Sequence, residues 1–138
     1  MTRAIVLYDE DCGFCRWSAG RLRAWDRRDR LAFAPIEGAV GARSLAHVDP
    51  CARTASWHLI AEDGRVWSAG AAIPQVLRRL PSGAAVAPLF ETFPDATERA
   101  YGWIARHRIR LGAALGQQAC AVDPSRPRED RRVARPNT

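Results

Sequence analysis

Ala4-Ile5-Val6-Leu7-Tyr8-Asp9-Glu10-Asp11-Cys12-Gly13-Phe14-Cys15 runs from a β-branched apolar segment, through three acids, into a Cys-x-x-Cys. The first five residues form a short apolar run bounded by acids, which predicts a buried strand. Beyond the pair, Cys15, Ala19, Leu22 and Trp25 recur on one helical face while Arg16, Arg23 and Arg27 point elsewhere, and the Asp26 to Arg30 cluster closes the element. The cysteines therefore stand where a buried strand ends and an amphipathic helix begins. Residues three apart on a first helical turn lie on one side, so the two sulfurs can close a small disulfide ring. The free N–H groups and dipole of the helix start favour a thiolate on Cys12, with Arg16 adding to the pull. In this reading Cys12 attacks and Cys15 resolves. Gly13 permits a tight turn, and Phe14 offers an apolar surface beside the sulfurs for a partner.

Two other readings of the pair stay open at this point, inert buried thiols and half of a zinc site. Zinc needs two further ligands, and the chain holds no second Cys-x-x-Cys and no His-x-x-x-His. His47, Cys51, His58, His107 and Cys120 are scattered. Asp9 lies three residues before Cys12, where a carboxylate can cap the helix start or move a proton when Cys15 is deprotonated. Glu10 and Asp11 read as caps and dipole partners.

Further along, Leu31 to Ile36 is a second strand candidate ended by Pro35 and Gly38, and Gly38 to His47 is a weak helix. Ser56-Trp57-His58-Leu59-Ile60-Ala61 and Arg65-Val66-Trp67-Ser68 flank Glu62-Asp63-Gly64, a hairpin signal that makes the two runs antiparallel neighbours. Ala71 to Leu80 reads as a helix with Pro74 in its first turn, and Ala84 to Phe93 as another. Asp95 and Glu98 then form a capping pair opening a long helix through Leu111, with Ala100, Trp103, Ile104, His107 and Leu111 as its apolar face. A βαβ start followed by a β-hairpin and a helix predicts a thioredoxin-like α/β domain over residues 1–122, with additional C-terminal helices. Residues 123–138, rich in Arg and Pro, are expected to be a disordered tail.

The string Tyr8 to Cys15 resembles the signature of the DCC family of thiol-disulfide oxidoreductases, whose hallmark is Asp-x-x-Cys-x-x-Cys after a strand. Asp63-Gly64-Arg65-Val66, Gly70-Ala71-Ala72 running into Leu77-Arg78-Arg79-Leu80-Pro81, and Tyr101-x-x-Ile104-Ala105-Arg106-His107-Arg108 are similar to its later sections. The resemblance implies a thioredoxin-like fold and carries over Asp9, Cys12 and Cys15. Thioredoxins place a cis-proline just before the third strand. Here Pro50 lies several residues ahead of that strand, so a loop brings it back or Ala55 or Ser56 fills the position.

Composition sets the surroundings of this site. The 138 residues carry a net charge of +6, are 47% apolar, and draw all 21 basic residues from Arg. Residues 123–138 hold five of those Arg against three acids, so the body is only mildly basic and nucleic acid is not the expected partner. Trp17, Trp25, Trp57, Trp67 and Trp103 fall at helix and strand spacing and read as core or groove. No apolar run spans a bilayer and no secretory leader is recognisable, which places the chain in the cytoplasm by expectation. The expected activity is thiol-disulfide exchange with a protein or small-molecule thiol or disulfide, with no cofactor. The rival is a thioredoxin-fold binding module whose cysteine pair is not catalytic and whose Arg-rich last helix and tail carry the contact.

Overall fold

Along β1 (Ala4–Tyr8) the side chains alternate between two apolar layers, as the pleat of a central strand requires. Ala4 and Val6 face a cluster with Leu31, Leu59, Ala72, Val76 and Leu80, and Leu7 faces a second with Ile36, Leu45 and Ile60. The computed structural model describes residues 3–116. After β1 come α1 (Gly13–Trp25), β2 (Leu31–Pro35), α2 (Ala39–Ser44) and α3 (Pro50–Arg53). The hairpin strands β3 (His58–Ile60) and β4 (Val66–Ser68) follow, then α4 (Ala69–Leu77), α5 (Gly83–Thr92) and α6 (Pro94–Ala114).

The four strands form one mixed sheet in the order β2-β1-β3-β4. β1 and β2 are parallel with Val6 opposite Phe33, whereas β3 pairs antiparallel with both β1 and β4. Gly64, at φ +87°, makes the hairpin turn that only a residue without Cβ adopts freely, and its N–H donates to the Ala61 carbonyl at 2.9 Å. This is the expected thioredoxin-like α/β arrangement. The βαβ unit, the hairpin and the extra helices stand where the sequence places them.

Three expectations need correction. The stretch Pro50 to Arg53, to which the sequence assigns no element, forms a short helix, because Asp49 caps it through a 2.8 Å bond from the Cys51 N–H and Pro50 sits in its first turn. The Asp95–Glu98 capping pair does not open α6. Pro94 starts the helix two residues earlier, Phe93 occupies the cap position, and the Thr97 hydroxyl donates to the Phe93 carbonyl at 2.9 Å. Thirdly, the inward face of α6 is rotated from the predicted stripe. Thr97, Tyr101, Ala105, Arg108 and Gly112 turn toward α1 and α4, while Trp103 is 52% exposed and Ile104 lies at the surface. The cause is the crossing with α4, where a Cβ on Gly70 would come within 2.9 Å of Glu98 Cα. Only small or end-polar side chains fit a helix held that close. The expected tail and Cys120 lie outside the described residues.

Candidate active site

Cys12 is the N-cap of α1. Its own N–H donates to the Asp9 carbonyl at 3.3 Å, its carbonyl accepts the Arg16 N–H at 3.0 Å, and its Sγ accepts the Cys15 N–H at 3.3 Å. A sulfur thus takes the place that a Ser or Asp oxygen usually fills, and an acceptor in that place is best when negatively charged. The Cys15 thiol donates to it as well. This bond is the strongest influence holding the Cys12 thiol at about 6, with the Cys15 N–H and the Arg108 guanidinium helping and burial and Asp9 opposing. The same bond keeps the proton on Cys15, whose thiol is pushed far up by that contact, by burial and by the charge on Cys12. One sulfur is mostly thiolate at neutral pH and the other stays protonated.

Asp9 does two things at once. Its Oδ1 accepts the Asp11 N–H at 3.0 Å, which shapes the turn from β1 into α1, and its Oδ2 lies 4.0 Å from Arg108 Nη1. Arg108 also donates to the Thr54 carbonyl at 3.3 Å, so α6 is tied to the loop before β3 directly beside the cysteines. The sequence points to the helix start, with Arg16 adding to it, as the local positive field. Arg16 sends Nη1 to the Glu10 carbonyl at 2.8 Å, and Arg108, distant in sequence, is a second cation whose charge draws both thiols downward.

The description that matches residues 6–114 of this chain is DCC1-like thiol-disulfide oxidoreductase. The chain belongs to that family. No curated protein and no solved structure matches it.

In this DCC1-like chain a half-enclosed cleft of about 520 Å³ opens beside the pair. Cys15 forms part of its wall, with Asp9 and Arg108 near the sulfur and Trp57, Tyr101 and Leu22 among the residues that make it apolar. Phe14, expected beside the sulfurs, lines the same cleft and stacks on Trp17 with ring centroids 6.0 Å apart. Gly13, expected as a turn residue, is the buried first residue of α1. The position just ahead of β3 is filled by Ser56 and Trp57, both in the cleft wall, while Pro50 is in α3 and no peptide bond among the described residues is cis. The Trp57 N–H donates to the Tyr101 hydroxyl at 3.1 Å, and its indole N–H donates to the Ala69 carbonyl at 3.0 Å. Burial holds the Tyr101 phenol above its ordinary range, so it stays neutral.

Tyr101, Trp57 and Arg108 are the site residues that the sequence reading did not assign. Tyr101 and Arg108 are seven apart, two turns along one face of α6, which is the signal that was available. The other single residues have structural surroundings. His58 is buried in β3, donating from Nε2 to the Arg53 carbonyl at 2.9 Å and accepting the Ser68 hydroxyl at Nδ1, 2.7 Å away. His107 stacks on Trp103 at 4.4 Å, and Cys51 is exposed. Among the described residues no group of three or more His, Cys, Asp or Glu is placed to hold a metal, and no helix is long and apolar enough to cross a membrane.

Proposed function

We propose that this chain exchanges disulfides through Cys12 and Cys15, with Cys12 as the attacking sulfur. Its thiolate attacks one sulfur of a substrate disulfide, forming a Cys12–substrate disulfide as the substrate S–S bond breaks and the other sulfur leaves as a thiolate that takes a proton. Cys15 then loses its proton and attacks Cys12 Sγ. The Cys12–Cys15 bond forms, the second substrate thiolate departs, and two electrons have passed from the pair to the substrate. The observation that carries this reading is the asymmetry of the pair, one sulfur capping α1 and held at about 6, the other kept protonated by it. Asp9 is proposed as the group that receives the Cys15 proton, supported by its place with Cys15 in the cleft wall. Within this reading the compartment is the cytosol, where a dithiol or glutathione-type reductant re-reduces the pair.

Trapping tests the assignment. Cys15→Ser is expected to accumulate a mixed disulfide with its substrate and Cys12→Ser to accumulate none. Equal trapping by both variants, or none by either, removes it. A second reading, a binding module with an idle cysteine pair, is favoured by one feature: Arg99, Arg106 and Arg110 stand exposed on α6 beside Trp103. It predicts no trapping by either variant.

A further inference from the structure

The cleft beside Cys15 is long as well as apolar. Its wall on α1 extends from Phe14 and Cys15 to Trp25, and ten residues of helix span about 15 Å. Opposite it lie Trp57, Tyr101 and Ile104. A volume of about 520 Å³ is that of a small-molecule site, not of a surface that grips a folded protein. Charge is distributed unevenly along it. At the sulfur end Arg108 is matched by Asp9, whereas further along α1 Arg21 lines the cleft, exposed, with no carboxylate within ion-pair distance among the described residues. Six residues separate Arg21 from Cys15, about 9 Å of helix. A ligand with its sulfur at the Cys15 end of the cleft, one turn from the Cys12 cap of the same helix, and an anionic group at Arg21 therefore has an apolar body of about that length between them.

We infer that the cleft selects the substrate, a small apolar disulfide or dithiol ending in a carboxylate, seated with its chain against Leu22 and Trp57 and its carboxylate at Arg21. This rests on the exchange chemistry proposed above. In the reducing direction the ligand disulfide takes two electrons from the cysteine pair, one proton from Cys15 and one from solvent, and leaves as a dithiol, and in reverse a ligand dithiol reduces the Cys12–Cys15 bond through the same mixed disulfide.

The reverse direction gives the test. The full chain is oxidised to the Cys12–Cys15 disulfide, and the rates of its reduction are measured with dihydrolipoate, dihydrolipoamide and dithiothreitol, each divided by that dithiol's rate with oxidised glutathione. Dihydrolipoate and dihydrolipoamide share an apolar chain and differ only in the terminal charge. The expected order is dihydrolipoate ahead of dihydrolipoamide by about twofold to fivefold, the worth of an exposed ion pair, and both ahead of dithiothreitol by at least about tenfold. Arg21→Gln is expected to erase the first difference and leave the second. Ser18→Trp, which fills the cleft, is expected to erase the second, with Ala105→Phe as the replacement if Ser18→Trp does not fold. Equal normalised rates for the three dithiols overturn the inference and leave the exchange reading intact. If none of the three reduces the pair, the exchange reading fails and the substrate assignment falls with it.

Discussion

At Cys12 the decisive partner is the sulfur three residues away. Burial and Asp9 oppose the thiolate, and two hydrogen bonds to it, from the Cys15 S–H and N–H, outweigh them. Cys15→Ala removes the first donor, and the Cys12 thiol is expected to titrate above pH 7, with Cys15→Ser retaining a hydroxyl donor and moving it less. Arg108→Gln is expected to raise the Cys12 value and Asp9→Asn to lower it, each by about half a unit. The pH profile of iodoacetamide alkylation reads all four, and a downward move in Arg108→Gln would contradict the charge arrangement described for Asp9 and Arg108. The grouping of Cys12, Cys15 and Asp9 was legible in the sequence because they are local, within seven residues of one another. Arg108 was not, since its role is created by a helix that arrives from the far end of the chain.

α6 shows how periodicity reaches its limit. The repeat of Ala100, Trp103, Ile104, His107 and Leu111 is real and makes the helix recognisable, yet Ala100 and Trp103 on it are exposed, His107 and Leu111 only half-buried, and Ile104 sits at the cleft rim. Hydrophobicity indicates that a face exists, while the neighbour's shape decides which face is used. Gly70 on α4 leaves room for backbone contact, and against it α6 turns Thr97, Tyr101 and Ala105. Gly70→Val is expected to cost roughly 2 kcal/mol through overpacking, lowering Tm by more than about 5 °C, and to raise the Cys12 value as Arg108 shifts. Trp103→Ala, on the exposed side, is expected to stay within about 0.5 kcal/mol. Thermal melts of the two variants, with alkylation of the first, compare the faces directly. Short apolar strands and the Asp63-Gly64 turn were read correctly because both faces of β1 are buried and the turn residue is forced by its φ.

For the whole molecule, three groups with lowered values among the described residues set the response to acid, and the Cys12 thiol, held at about 6 against its ordinary 9, loses its contribution first, as pH falls from 9 through 6. Burial depresses His58 below its ordinary 6.5, so below that pH the unfolded chain takes up a proton that the folded chain resists, and stability falls as pH falls. Glu62 is held at about 2 by Arg79, so its contribution is present above its ordinary 4.5 and is lost only between there and about 2. That pair is partly exposed and weighs little, which leaves His58 as the group that acts below the Cys12 range. Denaturant melts between pH 7 and 5, run on Cys12→Ser to remove the thiolate, are expected to show declining stability and a flatter profile when His58→Gln is added. An unchanged slope in that variant would remove the assignment to His58.

The sulfur that caps α1 also makes folding and electron transfer two sides of one thermodynamic cycle. Oxidation takes from Cys12 the charge that the helix start binds, so whatever the thiolate contributes to the reduced fold is withdrawn when the disulfide closes. The difference in unfolding free energy between the reduced and oxidised proteins therefore equals the difference in reduction potential between the folded pair and the same pair in an unfolded chain. A cap worth about 0.5 to 2 kcal/mol corresponds to roughly 10 to 40 mV in the oxidising direction. A calorimeter comparing the two redox forms thus acts as an electrode, and any substitution that loosens the first turn of α1 in the reduced state makes the pair a stronger reductant.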